Sequence, residues 1–348
     1  MTERAPAAVG LRWPAEWEPH AATWLAWPHN PETWPGCLDA AIQEFCAIVR
    51  ALQGREQLRI LVVDEAAEEG ARRRLAACGV EGDRGLEFHR LATNDAWIRD
   101  YGPWFLAPRA GGGRPVLVDF SFDAWGGKYP PWDLDDAVPR RVARVMDLER
   151  VEADFVLEGG AVDGDGRGTV LTTESCLLHP NRGPGRTREA MERRLEAWLG
   201  AQQVLWLDGG IEGDDTDGHV DDVARFVAAA TVVAAVEDEP GDSNFAPLAE
   251  NLRRLRGMRD ATGKPLSVVP LPMPPVHRRR GLRCPASYAN FYLANGVALV
   301  PIFGTRSDDR ALAVLREVLP DREVVAIPCA NLVVGLGAIH CLTQQEPA

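Results

Sequence analysis

Residues 287–328 read SYANFYLANGVALVPIFGTRSDDRALAVLREVLPDREVVAIP, and three structural signals follow one another in them. Apolar residues flank Asn295-Gly296, the strongest short mark of a two-residue hairpin turn. RALAVLREVL (310–319) then places its apolar residues at helical spacing, and EVVAIP (323–328) is a short β-branched run. The predicted order is hairpin, amphipathic helix, strand. The same order stands upstream: HVDDVARFVAAATVVAAV (219–236) is a hairpin, NFAPLAENLRRLRGM (244–258) a helix and SVVPLP (267–272) a strand.

Two earlier copies can be read. TVLTTESCLL (169–178), TREAMERRLEAWLG (187–200) and QVLWLD (203–208) form one; strands within 97–122, DDAVPRRVARVMDLE (135–149) and DFVLEGG (154–160) form the other. The ends supply a fifth: CLDAAIQEFCAIVRAL (37–52) reads as helix, LRILVVD (58–64) as strand, and NLVVGLGAIHCLTQQ (331–345) as a strand pair. Each unit has an apolar face that only neighbours can cover, so the expectation is a ring of five α/β units in one domain, 1–348, closed by both termini. Closure also removes unpaired sheet edges. EEGARRRLAAC (68–78) and the Pro/Trp-rich entry are insertions on this plan.

Composition narrows the function. The chain has 348 residues, 46% of them hydrophobic, enough for a large core, and no linker or low-complexity segment divides it. Its net charge of −13 speaks against nucleic acid and anionic membrane as partners and mildly favours a cationic substrate. MTERAPAAVGLRWP lacks the features of a secretory leader and no apolar run is long enough to span a membrane, so a cytoplasmic location is expected. Seven scattered cysteines without a CxxC pair argue against a disulfide framework or zinc ribbon.

Four stretches carry groups capable of chemistry. In GIEGDDTDGHVDDVARF (210–226), His219 and Asp221 share a face if the strand begins at the histidine, because side chains alternate along a strand. The same stretch also reads as an Asp-rich surface loop. In TNDAWIRDYGPWF (93–105), Asp100 near Trp97 suits a flat cation, while the competing reading is an Arg99-centred ion cluster with Trp97 and Trp104 as core. VLEGGAVDGDGRGTVLTTE (156–174) places Glu158 before Gly159-Gly160; its DGDGRG resembles a calcium loop but puts Arg167 where an oxygen ligand belongs, so a hairpin turn is the better reading. Cys341 follows Gly335 and Gly337, which permit close approach or unusual dihedrals; it reads either as an inert buried thiol or as a nucleophile. His340, its neighbour, is expected to point away, leaving His219 as the partner.

Together, NDAWIRDYGP, FDAWGGKYPPWDLDD, LEGG, DDTDGHVDD and GAIHCLTQQEP resemble the motifs of the agmatine deiminases and bacterial-type peptidylarginine deiminases, over nearly the whole chain. The resemblance implies the five-bladed, pseudo-symmetric α/β propeller of guanidine-modifying enzymes. It implies that Cys341 is the nucleophile, His219 the general acid/base, and Asp100 and Asp221 the carboxylates that grip the guanidinium. Trp97 and Glu158 fall beside the substrate, and Asp215 matches an acid directed at a distal amine. The implied reaction converts agmatine to N-carbamoylputrescine and ammonia through a cysteine thiouronium, with no metal or organic cofactor. FDAWGG has Asp123 where many relatives carry asparagine, and the following loop is short, which bears on the substrate.

Several alternatives accompany this reading. A deiminase of peptidyl or free arginine would need a cation for the substrate carboxylate, for which Arg182, Arg186, Arg278 and Arg280 are candidates. An amidinotransferase would use the same nucleophile, a guanidine- or polyamine-binding module would need no thiol, and a cysteine protease lacks its signatures here. The expected partner is a small cationic guanidine; association into homo-oligomers stays open.

Overall fold

The computed structural model describes residues 5–80, 82 and 84–348. Met1–Arg4, part of the stretch read for a leader, lie outside the described residues. Among the described residues no helix is long and apolar enough to cross a membrane.

The structure is mixed α/β, and the hairpin–helix–strand order governs its main sheets. Tyr292–Ala294 and Val297–Ile302 form the predicted hairpin around Asn295-Gly296, and Gly296 takes the turn's left-handed backbone at φ 69°. The helix Asp308–Val318 then crosses back so that Glu323–Pro328 lies parallel to the second hairpin strand. Ala224–Ala228, Thr231–Val236, helix Phe245–Gly257 and Ser267–Pro272 repeat the pattern. So do Val162–Gly164, Thr169–Thr173, helix Arg188–Leu199 and Gln203–Leu207. In the copy before these, Trp104–Pro108, Val116–Ser121, helix Val138–Val145 and Arg150–Val156 follow the same order, with Leu11–Arg12 added at the edge.

The chain ends meet as expected. Thr343–Pro347 pairs antiparallel with His20–Ala26, which continues in parallel to Gln57–Val62 and Leu86–Arg90. Asn295 ties this sheet to the neighbouring hairpin, accepting from His20 N at 3.0 Å and donating to its carbonyl at 2.8 Å. Apolar clusters likewise join sheet to sheet: Trp104 and Val118 pack with Val170 and Trp206, Leu171 and Leu205 with Ala224 and Val232, and Val233 with Tyr292, Leu299, Trp24 and Ile60.

Three local expectations need correction. NLVVGLGAIHCLTQQ was expected to give a strand pair; it forms short 3-10 turns at Leu332–Gly335 and His340–Leu342, and only Thr343 onward is extended. Its glycines serve close packing, since a Cβ on Gly335 would lie 2.8 Å from Trp34 and one on Gly337 2.5 Å from Trp97. The left-handed conformation falls on Leu336 between them, at φ 72°. The strand expected to start at His219 starts at Ala224, and His219 precedes a 3-10 turn at Val220–Asp222. The part of 97–122 read as strand opens instead with a helical turn, Ile98–Tyr101.

Candidate functional site

DGDGRG is a turn. Asp165 accepts from the amides of Arg167 and Thr169 at 2.8 and 2.9 Å, and Asp163 faces Arg225, so neither carboxylate is free for calcium.

The remaining singled-out groups converge on one place, and Gly160 shows how tightly. A Cβ built on it would sit 2.5 Å from His219 Nδ1, 3.0 Å from Asp221 Oδ2 and 3.1 Å from Asp100 Oδ1. The backbone of LEGG thus threads between three functional side chains where no side chain fits. Gly160 also donates its N–H to Asp100 Oδ1 at 2.8 Å, and the indole of Trp125 donates to Asp100 Oδ2 at 3.1 Å. Asp100 lies 3.7 Å from His219 Nδ1. Cys341 Sγ is 3.8 Å from Asp221 Oδ2.

A cavity of about 770 Å³ opens over these groups, lined by Trp97, Asp100, Trp125, Tyr129, Asp215 and Cys341 among others. Trp97 packs on Gly337 beside the Cys341 Cβ, and its ring lies tilted against that of Trp34 with centroids 5.4 Å apart. His219, Asp221 and Glu158 are buried below the cavity rather than on its wall. Asp215 stands at the rim, where the Tyr129 hydroxyl donates to it and Lys128 Nζ approaches its carboxylate at 3.7 Å.

Burial and charge set the protonation states. Burial alone would strip the proton from His219, but Asp100, the Cys176 thiol and Asp221 outweigh it and raise its pKa well above the ordinary histidine value. Burial pushes the Cys341 thiol well above its usual range, and Asp221, Asp222 and Asp100 push it further. Asp221 is also penalised by burial, yet His340, His219 and Arg225 hold it below the ordinary carboxylate range. The site without substrate therefore holds an imidazolium and a neutral thiol. Asp221 Oδ1 and His219 Nε2 are buried with no hydrogen-bond partner among the described residues.

His340 needs a correction of its own. It was expected to face away from the site; its Nδ1 instead bonds Asp221 Oδ2 at 2.6 Å and its Nε2 bonds Glu16 Oε2 at 2.9 Å. Glu16, from the Trp-rich entry, also pairs with Arg225 at 2.8 Å and Arg99 at 3.3 Å, and these cations keep its carboxyl well below the usual range despite full burial. In the WIRD stretch Arg99 joins an ion cluster centred on Glu16, and the adjacent Asp100 lines the cavity.

Sequence reasoning passed over Glu16, Asn290, Asp222 and Cys176. Asn290 Nδ2 donates to Cys341 Sγ at 3.1 Å and to Asp222 Oδ1 at 3.0 Å. Cys176, Glu158 and His219 present ligand-type atoms within 4.8 Å of one another. A metal ion would meet positive charge there, because Arg182 already pairs with Glu158 at 2.8 Å and His219 favours its protonated form.

The comparisons with known proteins follow the same lines. A family model described as Porphyromonas-type peptidyl-arginine deiminase matches residues 12–347. The chain is 37% identical over 366 aligned positions to an agmatine deiminase of Ectopseudomonas mendocina, covering 99% of this chain and 97% of that one. It resembles the solved agmatine deiminase of Enterococcus faecalis with a TM-score of 0.92 and 33% identity, covering 100% of this chain and 98% of the other. A substrate-bound agmatine deiminase from C. jejuni gives a TM-score of 0.87 at 27% identity, covering 97% of this chain and 96% of that one.

Proposed function

The chain belongs to the Porphyromonas-type peptidyl-arginine deiminase family, and from that membership we propose that it is an agmatine deiminase, a hydrolase of the guanidinium C–N bond. The observation that carries the reading is the convergence of Asp100, Asp221 and His219 around Gly160 with Cys341 beside them. We further propose that the five main sheets form a five-bladed propeller, that residues 1–348 make one domain, and that the enzyme works in the cytoplasm.

A guanidinium keeps its charge at any physiological pH and is gripped by paired hydrogen bonds to carboxylates. Asp100 and Asp221 take its edges, the unpartnered Asp221 Oδ1 among the acceptors. The cation offsets the three carboxylates that keep the Cys341 thiol protonated, so its proton leaves for solvent as substrate binds. Sγ bonds to the guanidinium carbon; His219 gives its proton to the departing nitrogen, and ammonia leaves as the C–N bond breaks. A thiouronium remains on the sulfur. Neutral His219 then deprotonates water, whose oxygen adds to the same carbon; the C–S bond breaks with its electron pair on sulfur, and the remaining hydroxyl proton passes to solvent, which leaves the ureido product. Nothing in this sequence calls for a metal or organic cofactor.

Agmatine is favoured over arginine because, of the four candidate carboxylate clamps, Arg182 and Arg186 are engaged within the protein, while Arg278 and Arg280 are exposed and are not among the residues lining the cavity. Arg182 is consumed by Glu158, Asp217 and the Thr216 carbonyl. Arg186 donates to the carbonyls of Val156, Leu177 and Arg182, and Arg278 donates to that of Gly281. The test is ammonia release and product mass from agmatine, arginine and a peptide ending in arginine. Turnover of either arginine substrate with no turnover of agmatine would reject the assignment.

A further inference from the structure

Asn290 sits in the turn before the strand Tyr292–Ala294 and is completely buried. Both polar atoms of its side chain are spent on the site. Oδ1 accepts from the backbone N–H of His340 at 3.0 Å and lies 3.5 Å from that of Cys341, so the amide is docked against the turn that carries the nucleophile. Nδ2 donates to Cys341 Sγ at 3.1 Å and to Asp222 Oδ1 at 3.0 Å, and Oδ1 also accepts from the same thiol at 3.6 Å. The largest ionic influences on this sulfur are carboxylates, Asp221, Asp222 and Asp100, and each raises the thiol's pKa. The Asn290 amide is the opposing influence, a neutral donor already in place before any charge develops.

We infer that Asn290 is a catalytic residue whose Nδ2–H stabilises the Cys341 sulfur as it becomes anionic, both for attack and when the thiouronium carbon releases it. The amide transfers no proton. It is fixed by the His340 and Asp222 contacts, so the donor needs no reorganisation as charge appears, the condition under which such a contact lowers a barrier. A hydrogen bond to a charged group is worth on the order of 10- to 100-fold in rate. This inference rests on reading Cys341 as the nucleophile, but its test does not depend on turnover.

The experiment compares wild type with Asn290→Leu, which keeps the shape without a donor, and Asn290→Ala. The rate of iodoacetamide alkylation at Cys341 is followed across pH by the mass of the peptide that carries it, and kcat and KM for agmatine are measured alongside. In the variants, alkylation below the midpoint should slow by on the order of 10- to 100-fold and the midpoint should move to higher pH, with kcat reduced more than KM is raised. A loss of kcat with the alkylation profile unmoved would reduce Asn290 to packing and overturn the inference. So would unchanged kcat and profile in either variant that melts like wild type. Should wild type turn over none of the three guanidine substrates, the deiminase reading fails while the alkylation comparison still reports on the contact.

Discussion

Replacing Gly160 by alanine isolates the geometry of the site, because the backbone there is not left-handed and the added methyl meets only space already taken. That methyl would lie 2.5 Å from His219 Nδ1, against an ordinary contact of about 3.5 Å, so the imidazole or the LEGG backbone must give way by roughly 1 Å. Asp221 Oδ2 at 3.0 Å and Asp100 Oδ1 at 3.1 Å lie on the other sides and block escape in those directions. Misplacement by about 1 Å costs on the order of 100-fold in rate, and overpacking costs about 1–3 kcal/mol in stability. The variant should therefore fold and melt several degrees lower, with kcat for ammonia release down about 100-fold. The assay is steady-state ammonia release beside a thermal melt. A kcat within threefold of wild type would show that the three side chains do not depend on their packing against Gly160, and the account of the site would fall with it.

Cys341→Ala should bind agmatine, by calorimetry, yet release no ammonia; release at the wild-type rate would sink the covalent scheme. His219→Ala should lose a comparable share of kcat. In wild type, kcat/KM should fall as pH rises through the elevated His219 pKa, placing the basic limb above the ordinary histidine range, because the ammonia-protonating form is the one lost; a limb at or below that range would contradict the environment assigned to His219. Asp100→Asn should chiefly raise KM, and an unchanged KM would remove it from the guanidinium grip. Arg182→Ala leaves Glu158 and Asp217 without their shared cation and should cost about 3–5 kcal/mol, read by denaturant unfolding.

Much of this architecture was legible because it is local. The Asn295-Gly296 turn and the helical spacing of 310–319 each lie within one unit, and the pairing of the two chain ends followed from asking what covers the units' apolar faces. The motifs located Asp100, His219, Asp221 and Cys341, but the strand alternation used to orient them was the wrong reason. His219 stands outside the strand, and its direction comes from Asp214 and Thr216, which accept from its backbone N–H at 3.0 and 3.1 Å. The same alternation sent His340 away from a site it helps to order. Glu16 was invisible for another reason: its partners Arg99, Arg225 and His340 lie 83, 209 and 324 residues away, and no local pattern records such a contact. Cys176 resembled any core thiol, and Asn290 any residue of a hairpin approach.

The three carboxylates around Cys341 have a consequence for the enzyme between turnovers. Peroxide oxidises a thiolate far faster than a thiol, and the first product on that path, a sulfenic acid, would abolish the nucleophile. With its sulfur held protonated at rest, Cys341 is a poor target, and the oxidative lifetime of the nucleophile follows how long substrate occupies the site. Storage in the absence of substrate should preserve activity against dilute peroxide, while a non-reacting guanidinium salt should hasten its loss.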